Sequence, residues 1–460
     1  MSLYGVIFRG AAAVGIAAAT ALPVAGQVGS DPLGGYIREA LGANPGLKQQ
    51  RLALYGREAA VRQARGLFLP SVMLDARYSD MQGGLDLGDL VNPAYRALNQ
   101  ITGSNQFPTD IDGRFPYAQE TRVRVVQPLF NASIVGNYQV NARLKDAQDA
   151  RVRGAARQLA ADVQLAYTDH ARAARVVDVY RATLALVKEN LRVAERLVAN
   201  GKVTADAVHR AEAARLEVEQ QLADAEQKRD ASAGRFNLLL GRDLDARIDL
   251  VADSLLLGPV ALTEEEVVVR ALRAREELEQ TTAGVRAAEA QQRIARASYL
   301  PNLSIAVDYG VQGNDYRFSR DNDFAMVSVV ASWNVFNGLQ DAARTEQASL
   351  EVERTRVQRA DVERHVELHA RTAYESVKVG EKAVQAAVAR GAAARRSYEL
   401  VSRRYEEGMA STLELLDART AFTNAELNRV LTVHDYFARR VELERAAALR
   451  DITGDFRVER

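Results

Sequence analysis

Residues Tyr299 to Gly310 read YLPNLSIAVDYG, and a near-double, FLPSVMLDARYS, stands far upstream from Phe68 to Ser79. In each copy an aromatic-Leu-Pro mark closes a charged, Ala/Arg-rich run and opens an alternating stretch. Proline ends the run because it has no amide proton and its ring clashes with the preceding helical turn. After Pro301, Leu303, Ile305, Val307, Tyr309 and Val311 alternate with Ser304, Ala306, Asp308 and Gly310. After Pro70, Val72, Leu74, Ala76 and Tyr78 alternate with Met73, Asp75, Arg77 and Ser79. A period of two with one apolar face predicts a strand. About nine residues is also the length of a tilted barrel strand that crosses a bilayer.

A second strand precedes each long helical tract. Thr121 to Gln127 sets Val123 and Val125 between Arg122, Arg124 and Val126, while Phe324 to Trp333 alternates less cleanly. Between the strands of each pair lie loops rich in Gly, Asn, Asp and Pro, Asp80 to Pro116 and Gln312 to Asp323. The first is long and carries no convincing periodicity.

The ten prolines leave two long proline-free tracts, Leu129 to Gly258 and Asn302 to Arg460. In the second, apolar residues from Val362, Val366 and His369 through Val377, Gly380 and Ala387 to Tyr398 and Tyr405 recur at spacings of four and three, a heptad-like seam. A helix from Gln340 to Tyr405 runs for roughly 65 residues, or about 100 Å. Each tract then meets a glycine, in Asn200-Gly201-Lys202-Val203-Thr204 and in Glu407-Gly408-Met409-Ala410-Ser411. Glycine suits a left-handed helix terminus, and Thr204 or Ser411 suits the N-cap of a returning helix. Each tract is therefore read as a helical hairpin. Ala, Gly and Val in the seam let helices approach closely on more than one face.

The 60 basic and 60 acidic residues cancel, so no global field points to a nucleic-acid partner. With no cysteine, disulfides, thiolate metal sites, a cysteine nucleophile and an acylated N-terminal cysteine are excluded. Residues 1–26 read as an export signal: Arg9 is basic, Ala11 to Val24 is apolar and Val24-Ala25-Gly26 offers small residues for cleavage. Nowhere later do 18 apolar residues run together, so no transmembrane helix is predicted. The order of elements then repeats: helix, Leu-Pro stop, strand, loop, strand, long helix, glycine turn, return helix. The expected units are 27–258, 259–452 and a tail, 453–460.

Taken together, these features resemble the TolC-like outer-membrane efflux protein family, also called outer membrane factors. The likeness rests on Leu69-Pro70-Ser71-Val72 and Leu300-Pro301-Asn302-Leu303, on Val126-Gln127-Pro128-Leu129-Phe130 and Trp333-Asn334-Val335-Phe336-Asn337-Gly338, and on the stretch from Tyr405 through Gly408 to Ala418. The resemblance implies a mainly α fold with transmembrane β-strands. In it a homotrimer pools four strands per protomer into a twelve-stranded barrel, continued by a periplasmic α-helical barrel. The implied function is passive conduction from an inner-membrane pump and a periplasmic adaptor to the exterior, without a cofactor, in contact with outer-membrane lipid. Four strands alone cannot close a barrel, and open edges are not tolerated in lipid.

By the same likeness Glu414 and Asp417 line the periplasmic aperture and Tyr405 helps hold it closed. The two acids lie three residues apart on one helix face, and threefold symmetry would gather six carboxylates, favour cations and raise some carboxylate pKa values. Ala410 and Ala207 stand where better-studied locks carry an arginine and an aspartate, so a different lock is expected here. The hairpin turns at Gly201, Thr204, Gly408 and Ser411 are candidate adaptor contacts, and Pro70 and Pro301 mark the helix-to-strand junctions.

Other features read more plainly. His365 and His369 lie one turn apart without the metalloprotease pattern and are taken as packing residues. Arg395-Arg396 and Arg403-Arg404 make the second tip basic, and the single Trp333 suits either an interfacial belt or packing on a helix. P-loop, dinucleotide and nucleophile-elbow patterns are absent from the sequence, which argues against an enzyme. The rival reading is a periplasmic coiled-coil structural or adaptor protein, which has no need of paired alternating strands.

Overall fold

Pro70 and Pro301 each sit one residue before a strand, and around these two stops the chain folds twice in the same order. The computed structural model describes residues 32–80, 85–111, 113–115, 118–250, 261–313 and 322–451. The expected export signal and tail lie outside the described residues. The first pass runs α1 (Pro32–Ala43), α2 (Pro45–Gly66), β1 (Ser71–Tyr78), β2 (Leu85–Asp86), α3 (Leu87–Thr102), β3 (Arg114–Phe115), β4 (Gln119–Phe130), α4 (Ala132–Ala199) and α5 (Asp206–Leu240). The second runs α6 (Glu264–Ala274), α7 (Glu276–Ala297), β5 (Asn302–Gly313), β6 (Asp323–Ser332), α8 (Gln340–Glu406) and α9 (Thr412–Ala446).

The four long strands form one antiparallel sheet in the order β1-β4-β5-β6. The register puts Val72, Val125, Val307 and Val327 in one row and Met73, Arg124, Asp308 and Met326 in the next. β4 begins two residues earlier than its alternation suggests and runs on through Pro128, where the register shifts before Phe130. A bulge at the strand end accommodates a proline that has no ladder proton to give. At Gly310 a Cβ would collide with the backbone of Thr121 and Arg122, so the close approach of β4 and β5 requires glycine.

α4 and α8 are 68 and 67 residues long, each about 100 Å. Asn131 starts α4 by accepting from the amides of Ser133 and Ile134 at 3.0 and 3.3 Å. α8 has no such cap: it follows Leu339, whose φ of 66° lies in the left-handed region that a leucine rarely adopts. Isolated helices of this composition gain little from propensity, so tertiary burial holds them. One core gathers Ile37, Leu54, Val163, Tyr167, Phe236 and Leu240 around α4; another gathers Val268, Val366, Val377, Tyr436 and Leu443 around α8. Each fully buried large side chain contributes about 1.5–3 kcal/mol through removal from water.

The long first loop departs from its reading as aperiodic, because it contains the 16-residue helix α3. Asp86 accepts from the amide of Gly88 at 2.8 Å and Gly103, at φ 62°, ends the helix. Asn92 and Asn99 tie it to Ile111 and Phe107. Pro93, placed within the helix, is what hid the pattern.

Candidate functional site

The sheet is inside out by the standards of a soluble protein. Along β1, alternation sends Val72, Leu74 and Tyr78 to one face and Asp75 and Arg77 to the other. Leu74 is 71% exposed whereas Asp308, on the charged face, is 1% exposed. Arg124 donates from Nε and Nη2 to the two Asp308 oxygens at 2.6 and 3.1 Å. Arg122 Nη1 donates to Glu120 at 2.6 Å, Arg77 Nη2 reaches the same carboxylate at 3.1 Å, and Asp75 lies 3.5 Å from Arg122. Charge on the shielded face and valine, leucine and tyrosine on the bare one is the pattern of a wall between lipid and an aqueous lumen. Among the described residues no helix is long and apolar enough to cross a membrane.

Trp333 is exposed beside the end of β6 and its Nε1 donates to the Tyr299 carbonyl at 3.1 Å. Phe68, Phe130, Tyr299 and Phe336 are also exposed at the helical ends of the strands, an arrangement that suits an interfacial aromatic belt.

The far end of the hairpins holds the other predicted site residues. Gly201 (φ 69°) and Gly408 (φ 81°) both take the left-handed conformation, and the following amides, of Lys202 and Met409, close on Leu197 and Arg404 at 2.9 and 2.7 Å. The return helices start differently. Ser411 caps α9 in a reciprocal box: the Glu414 amide donates to Ser411 Oγ at 3.2 Å, and Glu414 Oε2 accepts from the Ser411 amide at 2.7 Å. Thr204 does not cap α5. Its N-cap is Ala205, which offers no side-chain oxygen, and the Thr204 hydroxyl turns to the Asp206 carboxylate instead.

Within one chain the Ser411 amide and hydroxyl hold the Glu414 carboxyl below the usual glutamate range. Asp417 is exposed one turn on, on the same side of α9. Tyr405 is buried in a cluster with Tyr398 and Leu415 of the second hairpin and Val193 and Leu197 of the first, with Ala410 packed against it. Apolar contact thus joins the two hairpins around Ala410.

Arg419 is the residue that sequence reasoning missed. It is buried four residues after Leu415 on the same helix face, and its Nε and Nη1 have no hydrogen-bond partner. Burial pushes its pKa below the ordinary arginine value, with Glu217 opposing. An arginine at the apolar register of Leu415 was the available signal. His369 enters an ionic knot, not a metal site: Nε2 meets Glu442 at 2.5 Å, and Arg445 and Arg275 flank the ring. Glu442 is pulled down to about 2, first by the hydrogen bond from His369. His365 pairs only with Asp361, in solvent at 3.7 Å, and among the described residues no group of three metal-ligating side chains converges.

A model of the family described as outer membrane efflux protein matches residues 36–242 and 267–449. The chain belongs to that family. This efflux protein is similar in fold to the outer-membrane channel OprN, with a TM-score of 0.74 and 18% identity over 90% of this chain and 89% of that one. It is equally similar to the outer membrane protein VceC from Vibrio cholerae, with a TM-score of 0.74 and 19% identity over 90% and 95% of the two chains. The CmeC outer membrane channel of Campylobacter jejuni aligns with a TM-score of 0.74 and 15% identity over 91% and 85%. A search of curated proteins gives no match in sequence. The efflux protein is an outer-membrane efflux channel.

Proposed function

We propose that three copies of this chain close one twelve-stranded barrel and one helical duct, through which an inner-membrane pump and a periplasmic adaptor discharge cargo. The observation that carries this reading is the pair of open edges. β1 and β6 end the sheet, and because β1, β4, β5 and β6 alternate in direction, β6 of one copy can extend antiparallel onto β1 of the next. In lipid those edge amides and carbonyls must be satisfied, and closure is the way to do it. Residues 27–258 and 259–452 are the two repeats in this reading, after an export signal at 1–26 and before a tail at 453–460.

The duct narrows at the hairpin ends. Tyr405 holds the second hairpin to the first, and Glu414 and Asp417 are the exposed acids whose threefold copies would ring the aperture and favour cations. The turns at Gly201, Thr204, Gly408 and Ser411 would present the tips to the adaptor. Conduction needs no group transfer, so polar cargo is moved without entering hydrocarbon.

Single-channel recording in planar bilayers tests both parts. The expected result is a conducting, cation-preferring oligomer whose preference falls when Glu414→Ala is combined with Asp417→Ala. Unchanged selectivity in that variant removes the two acids from the aperture, and an electrically silent monomer sinks the duct.

A further inference from the structure

We propose that a small monovalent inorganic anion, of the size and charge of chloride, binds in the seam between α4 and α9 on the side chains of Asn190 and Arg419. Both residues are deeply buried, at 9% and 7% exposure. Asn190 Nδ2, Arg419 Nε and Arg419 Nη1 have no hydrogen-bond partner, and the one bond that Arg419 makes runs from Nη2 to the Thr420 hydroxyl at 3.3 Å. Among the described residues Arg419 forms no ion pair. Glu217 of α5 acts on it only from a distance: that carboxylate is exposed and accepts from Gln221 Nε2 at 3.3 Å. An arginine keeps its proton inside a protein, so the charge persists where burial opposes it. A buried charge with no counter-charge is strongly destabilising, and buried donors of this kind call for an acceptor.

The seam's own register brings the three donors to one level. The Thr183 and Thr423 hydroxyls meet at 3.3 Å, and nearer the tip Val193 shares a core with Leu415. The two helices therefore run antiparallel across this contact. Asn190 stands two turns beyond Thr183 on α4, and Arg419 stands one turn before Thr423 and one turn after Leu415 on α9. Both fall between the threonine pair and the apolar pair, on the faces that the helices turn to each other. Two nitrogens of one guanidinium and the amide of Asn190 then supply three N–H donors from opposite walls.

The surroundings set the class of ligand. Val187, Val193 and Leu415 are buried around the donors and offer no side-chain acceptor, so the ligand must be small and must bring the negative charge itself. One positive charge is neutralised by one negative charge. Leu186 and Phe422, one turn from Asn190 and Arg419, line a cavity of about 360 Å³ whose wall carries Arg175, Arg395 and Arg429. Arg175 pairs with Asp178 at 3.4 Å and Arg429 with Glu426 at 3.2 Å, while the Arg395 guanidinium lies over the Phe422 ring at 5.5 Å. Three arginines against two carboxylates leave this approach net positive, which concentrates anions beside the seam. Once bound, the ion pins the first hairpin to the second above Tyr405. That bearing on closure rests on the aperture reading above, whereas the site itself needs one protomer alone.

Two measurements on the full-length protein in detergent test this. Urea unfolding is followed by helical circular dichroism in sodium chloride and in sodium gluconate at equal ionic strength, gluconate having the same charge but too much bulk for the seam. Chloride is expected to raise the wild-type midpoint by about 0.3 M or more. In Arg419→Leu that shift should vanish, and in gluconate the variant should match or exceed the wild type, because no bare charge is then buried. In crystals soaked in sodium bromide, an anomalous peak should stand between Asn190 and Arg419 and be lost in Arg419→Leu. Equal chloride shifts in wild type and variant overturn the proposal, and a bromide peak that survives the substitution marks an adventitious ion only and overturns it too. A wild type indifferent to chloride also overturns it, and destabilisation by Glu217→Gln would then make that carboxylate the partner of Arg419. None of these readings depends on conduction or on the number of copies, so failure here is distinct from failure of the duct.

Discussion

α4 and α8 are copies of one another in length, direction and sequence rhythm, yet their surroundings differ. α4 lies in the middle of the protomer, between α2 and α5 on one side and α7 and α9 on the other. α8 lies at its edge, packed on α6, α7 and α9 alone and bare opposite them. The strands repeat the lesson: β4 and β5 are paired on both sides, β1 and β6 on one. A duplicated chain thus packs its central elements in cis and leaves their copies at its margins partnered on one side.

The largest effect should come from breaking the seam that is closed in cis. Gly310→Val pushes a side chain into the backbone of Thr121 and Arg122, which cannot step aside as a flexible side chain can. Overpacking of this kind costs about 3 kcal/mol or more, and the variant should yield no heat-resistant oligomer in outer-membrane fractions. Wild-type levels of oligomer would mean that the repeats meet less closely than described.

A smaller effect separates the two hairpin turns. Ser411→Ala removes a reciprocal cap and should destabilise the second hairpin by about 1 kcal/mol. Thr204→Ala, at a position that caps nothing, should change stability by less than about 0.5 kcal/mol. Denaturation of the two variants side by side checks this, and equal losses would erase the distinction between the turns.

The smallest effect concerns acid. Glu442, held at about 2 by His369 and Arg445, lies below its ordinary value of 4.5. A depressed carboxylate stabilises the fold above its unfolded pKa and loses that contribution as pH falls through the folded one. Stability should therefore decline between pH 4.5 and about 2, and Glu442→Gln should flatten that decline in a pH series of melting curves. An unchanged slope would place the acid sensitivity elsewhere.

Much of this was readable in the residues. Proline at 70 and 301, period-two alternation after each, and glycine at 201 and 408 are local chemistry, and local chemistry acts wherever the chain goes. α3 was hidden because Pro93 breaks the pattern that reveals helices, and its ends are set by Asp86 and Gly103. Thr204 and Ser411 look alike in sequence, but only Ser411 has a glutamate three residues on to complete the box. The tip of the second hairpin was legible as a turn and two acids. Its apolar fastening was not, because Tyr405 meets Val193 and Leu197 from more than 200 residues away.

By itself the sequence determined the stops, the strands, the long hairpins and their duplication, since each depends on the dihedral freedom and hydrophobic rhythm of neighbouring residues. Only the tertiary structure decided which face of each element is shielded, that Asp308 disappears against Arg124 while Leu74 faces outward, and that α8 is left bare where α4 is covered. Burial is a property of what lies across a helix or a strand, and two identical rhythms receive different neighbours when one sits in the middle of a chain and the other at its edge.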